Sequence, residues 1–163
     1  MSMRIEHYTE TYRDAVRDLI VPIQCEEFGV DITYEDQPDL TQIPTFYQKN
    51  GGQFWLAFDG DALVGTIALV DIGDHTGALR KMFVRESHRG KEVGVAQTLL
   101  ETLLSHAREH GMQEIYLGTT AAFLAAHRFY EKNGFDLVHP DDLPHNFLWM
   151  VPDTRFYCYR LGR

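Results

Sequence analysis

The chain has 163 residues, 44% of them hydrophobic and 24% charged, with a formal net charge of −9; this suits one globular domain with a real core. The negative balance argues against a general nucleic-acid binder, which needs a positive footprint, and no apolar run approaches the roughly eighteen residues that span a bilayer. Two cysteines, Cys25 and Cys158, are too few for a disulfide framework and lack metal-ligand spacing; with no signal-peptide pattern at the N-terminus, the expectation is a single cytoplasmic domain over 1–163, with no metal and no membrane or nucleic-acid partner.

In chain order, "MRIEHY" reads as a short first strand. From about Thr11 an amphipathic helix follows, with Tyr12, Ala15, Val16, Leu19 and Ile20 on one face, and Pro22 is expected to kink or end it. The polar stretch 26–50 holds Pro38 and Pro44 and a second, shorter helix. "QFWLAF" and "ALVGTIALV" read as two strands joined at the hairpin-type turn "DGD". Their apolar runs are nearly continuous, so both faces of the sheet should be covered. "GALRKMFV" is a fourth strand. A helix from Val93 to His110 carries Val93, Ala96, Leu99, Leu100, Leu103 and Ala107 on one stripe and stops at Gly111. "EIYLGT" is a fifth strand; Phe123, Ala126, Phe129 and Tyr130 mark a further helix ending at Gly134; "FDLV" and "RFYCYRL" complete the sheet. This order predicts an α/β sandwich with a mixed central sheet of six to seven strands flanked by about four helices, its central β-α-β unit parallel.

Charge is uneven along the chain. From Asp18 to Gln48 there are seven acids (Asp18, Glu26, Glu27, Asp31, Glu35, Asp36, Asp39) and no Lys, Arg or His. That stretch is either a solvated face or a surface that attracts a cationic substrate. Basic residues gather at Arg80, Lys81, Arg85, His88, Arg89 and Lys91. The stretch "RESHRGKEVGVAQTLL", residues 85–100, runs from a basic, glycine-bearing turn into a helix. Such a turn presents unsatisfied backbone N–H groups and the positive end of the helix dipole to an anion. Gly90 and Gly94 let a ligand approach the backbone, and Arg89 and Lys91 add charge. Glu92 is an unusual residue for such a cradle; an outward carboxylate there is compatible with the dipole. Neither the Walker-type nor the dinucleotide-type phosphate loop fits.

These residues carry a family resemblance. "RGKEVGVAQTLL" is similar to the acetyl-CoA motif [RQ]-x-x-G-x-[GA] of the GCN5-related N-acetyltransferases (GNAT), and "AAHRFYEKNGF" resembles that family's second signature, A-x-x-F-Y-E-K-x-G-F. The resemblance spans residues 3 to 161 and is strongest over 78–138. It implies a GNAT-type α/β sandwich and acetyl-CoA as acyl-donor cosubstrate. By resemblance, Arg89, Gly90, Lys91, Val93, Gly94, Val95 and Ala96 would surround the pyrophosphate. Phe83 and Val84 would offer main-chain groups to the pantetheine arm and thioester. Phe123, Ala126, Phe129 and Lys132 would line the cofactor side, and Tyr130 would protonate the departing thiolate. Glu92 stands where the family has a motif glycine, and Phe123 where an asparagine is frequent.

The implied reaction moves an acetyl group to a primary amine of a small molecule by direct attack in a ternary complex. The fourth strand offers no acid as base; His75, His88 and His145 are candidates. Strand neighbours alternate sides, so one of Arg80 and Lys81 should face the cleft and meet an anionic group of the acceptor. An amino-acid-like acceptor would satisfy both this basic site and the acidic stretch; a polyamine-like one would suit the acids alone. Phe147, Trp149 and Met150 form an apolar wall on the acceptor side, a core packing group or a homodimer contact. Two alternatives stand beside this: acetylation of a protein or peptide amine, and a non-catalytic acyl-CoA-binding regulatory domain.

Overall fold

Period-two alternation in the strands sorts their side chains onto two faces. In a computed structural model, which describes residues 2–90, 92–119, 124–147 and 153–161, the second strand sends Phe54, Leu56 and Phe58 to one core and Trp55 and Ala57 to the other. Its strands are β1 (Met3–His7), β2 (Gln53–Asp59), β3 (Ala62–Gly73), β4 (Thr76–Val84), β5 (Glu114–Thr119), β6 (Asp136–Val138) and β7 (Arg155–Arg160). They form one sheet in the order β1-β2-β3-β4-β5-β7-β6. All neighbouring pairs are antiparallel except β4 and β5, as the β-α-β crossover between them requires.

The first face is covered by α1 (Arg13–Pro22), α2 (Pro38–Thr41) and α3 (Ile43–Phe46), through Val16, Leu19, Ile20, Leu40 and Ile43. The helical path does not end at Pro22; it continues as a π-helical turn over Ile23–Glu27. Proline has no N–H to bond back along α1, and widening the turn keeps the chain coiled without that bond. The expected single helix in 26–50 is two four-residue pieces. Gln42, at φ −133 and ψ 53, separates them, and Pro44 has no N–H to bond back to the carbonyl of Leu40 in α2.

The second face is covered by α4 (Val95–Glu109) and α5 (Leu124–Lys132). Val95, Leu99, Leu100, Leu103 and Ala107 are fully buried along one stripe of α4. The helix begins two residues later than its apolar stripe suggests, because Gly94 is left-handed at φ 78. Gly65 of β3 lets α4 sit close: a Cβ there would lie 2.9 Å from Val95 and 3.0 Å from Leu99. Since Gly65 pairs with Val84, this contact sets the start of α4 beside the end of β4. At the other helix, the Tyr157 hydroxyl donates to Glu131 (2.6 Å) and accepts from Arg155 (2.7 Å), tying α5 to β7.

Candidate functional site

The sheet parts in its middle. β4 and β5 pair only from Thr76 with Glu114 to Ala78 with Tyr116, yet β4 runs on to Val84 and β5 follows β7 to Thr119. Beyond Ala78 the facing edges of β4 and β5 are not paired with each other. A strand edge opened in this way can receive an extended ligand through its main chain. Phe83 packs towards the α1–α3 core and Val84 towards the α4–α5 core, so beside the gap the end of β4 sends one residue to each face of the sheet.

Next to that gap lies the N-terminus of α4. Gly90 and Gly94 both take positive φ, 105 and 78, where a side chain would be strained. The amides of Val93 and Gly94 bond to the Gly90 carbonyl; among the described residues no side chain caps the helix, so the first-turn donors beyond Gly94 face outward for an anion. Val95 is buried, Val93 and Ala96 are half-buried, and Glu92 is exposed. Lys91 lies outside the described residues. The Arg89 side chain folds back: its Nε donates to the Val84 carbonyl (2.8 Å), and its two terminal nitrogens meet both carboxylate oxygens of Glu27 at 2.7 and 2.9 Å.

Tyr130 lies on α5 and is 5% exposed, surrounded by Phe129, Phe135 and Tyr157 with ring centroids 5.6, 5.4 and 6.1 Å away. It shares an apolar cluster with Val84, Val93, Ala126 and Phe129. Burial pushes its phenol well above the ordinary tyrosine range, so the hydroxyl keeps its proton at neutral pH. Lys132 is exposed at the end of α5. Phe123, Trp149 and Met150 lie outside the described residues. Phe147 is a core residue, edge-on to Phe156 at 6.1 Å.

Arg80 and Lys81 do not alternate. Between the pairs Thr66–Phe83 and Ala68–Arg80 the register slips, and Lys81 has φ 53: a β-bulge that turns both side chains the same way. Both reach Asp39 of α2, Lys81 at 3.3 Å and Arg80 at 3.7 Å. Asp39 also accepts from the Tyr47 hydroxyl (2.5 Å), while Lys81 donates to Gln37 (2.8 Å), itself in a reciprocal amide pair with Gln24. Burial raises the Asp39 carboxyl, but Lys81, Arg80 and Tyr47 more than offset this and hold it below the usual carboxylate range. Burial pulls the Lys81 ammonium down, and Asp39 works against that.

The three candidate histidines stand elsewhere. His75 is in the β3–β4 turn at φ 59, His145 is exposed, and His88 bonds Asp59 at the end of β2 (2.9 Å). Asp39, Tyr47, Gln37 and Glu27 were not singled out from the sequence. Asp39 and Glu27 belong to the acidic stretch; Asp39 is buried whereas Glu27 stays solvent-accessible like most of its acids, and both hold partners more than forty residues away. Among the described residues no helix is long and apolar enough to cross a membrane.

A sequence profile of the acetyltransferase (GNAT) family matches residues 15–135. The N-acetylaspartate synthetase of Rattus norvegicus is 37% identical over 132 residues, covering 76% of this chain and 44% of that protein; the chain thus spans less than half of this curated relative. A GNAT-family acetyltransferase from Staphylococcus aureus Mu50 superimposes with a TM-score of 0.93 at 36% identity, covering 98% of this chain and 99% of that one. The PaiA N-acetyltransferase of Thermoplasma acidophilum, solved in complex with coenzyme A, has a TM-score of 0.75 at 16% identity over 98% and 99% of the two chains, a likeness of fold alone.

Proposed function

This chain belongs to the acetyltransferase (GNAT) family, and on that footing we propose that it is an acetyl-CoA-dependent N-acetyltransferase whose acceptor is a small primary amine carrying a carboxylate. Acetyl-CoA supplies the acyl group, activated as a thioester. The residues present suit it. The uncapped start of α4 offers the backbone N–H groups of Val95 and Ala96 to a pyrophosphate, the turn through Gly90, Val93 and Gly94 gives it room to approach, and Arg89 and Lys91 offer charge. The open edge of β4 at Phe83 and Val84 offers main-chain groups to a pantetheine arm, with Ala126 and Phe129 on the α5 side. Main-chain N–H groups at the end of β4 stabilise negative charge developing on the acyl oxygen, a contribution worth about 2.7–4 kcal/mol where one such donor has been removed. Tyr130 holds a proton on its hydroxyl and gives it to the departing sulfur.

The observation that carries the acceptor class is the bulge in β4. It sets Arg80 and Lys81 side by side, largely buried and fixed by Asp39, as a pre-organised cationic wall for a carboxylate. The name of the rat relative supports an acceptor of this kind. The test is release of coenzyme A thiol across a panel of L-aspartate, L-glutamate, spermidine, an aminoglycoside and a short peptide. The dicarboxylic amino acids should be turned over, and Arg80→Met should raise the acceptor KM at least tenfold with coenzyme A affinity unchanged. Preferential turnover of spermidine or the peptide would refute the acceptor class. Silence across the panel with measurable acetyl-CoA binding would favour a non-catalytic acyl-CoA-binding domain.

A further inference from the structure

The arginine at the mouth of the helix cradle is already engaged. Arg89 holds Glu27 through a two-pronged contact at 2.7 and 2.9 Å and the Val84 carbonyl at 2.8 Å. One guanidinium therefore spans the space between the end of β4 and Glu27. Glu27 closes the π-helical turn Ile23–Glu27 that extends α1. Such wide turns are frequent at functional sites because they re-aim a side chain without breaking the helix. The side chains of Arg89 and Glu27 are 36% and 29% exposed, accessible enough to exchange partners.

From this geometry we infer that Glu27 is the carboxylate that receives the amine of the acceptor, and that Arg89 covers it until a phosphate group draws the guanidinium away. The inference rests on the function proposed above and names the group that removes the amine's proton. A carboxylate and a pyrophosphate compete for the same fork of donors. When the pyrophosphate wins, Glu27 is left as a free anion facing the end of β4, where the acyl carbon is presented. The acceptor nitrogen then forms its bond to that carbon as the carbon–sulfur bond breaks. The nitrogen's proton passes to Glu27 and the sulfur takes one from Tyr130, so charge and atoms balance. The exchange also imposes an order: an acceptor arriving first finds its carboxylate occupied by Arg89.

The contact makes the two substrates respond in opposite directions to one substitution. Glu27→Gln removes the competitor for Arg89, so coenzyme A, titrated alone by calorimetry, should bind about two- to fivefold tighter, the range an exposed ion pair is worth. In an Arg89→Ala background, itself about tenfold weaker, the same Glu27→Gln change should leave affinity unmoved. With L-aspartate as the acceptor probe, kcat/KM of Glu27→Gln should fall at least tenfold, and Glu27→Asp should recover part of it. Loss of coenzyme A affinity in Glu27→Gln, or equal effects with and without Arg89, would overturn the gate; unchanged kcat/KM would overturn the role in amine capture. A wild-type protein that takes up no coenzyme A would overturn the proposed function and this inference with it, whereas normal wild-type binding with an indifferent Glu27→Gln overturns this inference alone.

Discussion

Replacing Asp39 by Asn tests the buried cluster beneath the proposed acceptor site. The Asp39 side chain is 7% exposed, that of Lys81 4% and that of Arg80 11%. An isosteric amide keeps a hydrogen-bonding partner for Tyr47 but leaves two buried cations without their shared anion. Breaking a buried pair by removing one partner costs about 3–5 kcal/mol. At about 2–4 °C per kcal/mol for a chain of this size, the melting temperature should fall by roughly 6–20 °C at pH 7. The pH dependence has a definite sign. Asp39 is held below its usual range in the folded protein, so its stabilisation is complete above the unfolded value near 3.9 and is lost as pH falls towards the folded one. The gap between wild type and variant, followed by circular dichroism, should be constant from about pH 7 to 5 and narrow below about pH 4. Adding Lys81→Met removes the more deeply buried of the two cations and should return part of the loss. A variant melting within about 2 °C of wild type at pH 7 would refute the reasoning, as would a gap that persists undiminished at the acid end.

Tyr130→Phe should lower turnover at least tenfold with acetyl-CoA affinity nearly unchanged, because the ring still fills its apolar pocket and only the proton is lost; equal activity removes Tyr130 from the mechanism. Gly52→Ala should destabilise the fold by about 1–3 kcal/mol or more, because the new Cβ would clash with the Tyr47 carbonyl oxygen and lie 2.7 Å from that of Leu69, both backbone atoms with little freedom to yield. A lowered urea midpoint with an unchanged slope is the expected readout.

Elements whose character is local could be read in the sequence. The nearly continuous apolar runs of β2 and β3, the α4 stripe ending at Gly111 and the order of strands along the chain all follow from hydrophobic pattern and turn residues. The glycines at 90 and 94 showed where backbone had to be free of Cβ, and the structure gives both positive φ. The departures are those of long-range origin. Nothing local to "GALRKMFV" announces that Lys81 adopts a left-handed conformation; period two predicted opposite sides for Arg80 and Lys81. The anion that draws both to one side is Asp39, supplied by another helix. Likewise Glu27 could be counted among the acids, but its partner Arg89 lies 62 residues away, beyond any pattern. The break between α2 and α3 was available in Pro44, whereas the π-turn after Pro22 needed the packed structure.

The bulge and the parted sheet have a common logic. A left-handed Lys81 costs of order 1–3 kcal/mol as backbone strain, and a bulge in a fully paired central strand would also forfeit ladder bonds on both sides. Here the bulge falls beyond Ala78, where β4 no longer pairs with β5, so only the β3 ladder is disturbed. Even that is mended, since the Thr66 hydroxyl donates to the Lys81 carbonyl at 2.7 Å. The same stretch of strand thus does two things that a regular strand cannot do together. Its edge stays open for an extended ligand, and two consecutive basic side chains face α2. Straightening β4 would return Arg80 and Lys81 to opposite sides and leave Asp39 with one cation at most, so the geometry of the proposed acceptor wall depends on the same gap that is proposed to admit the donor.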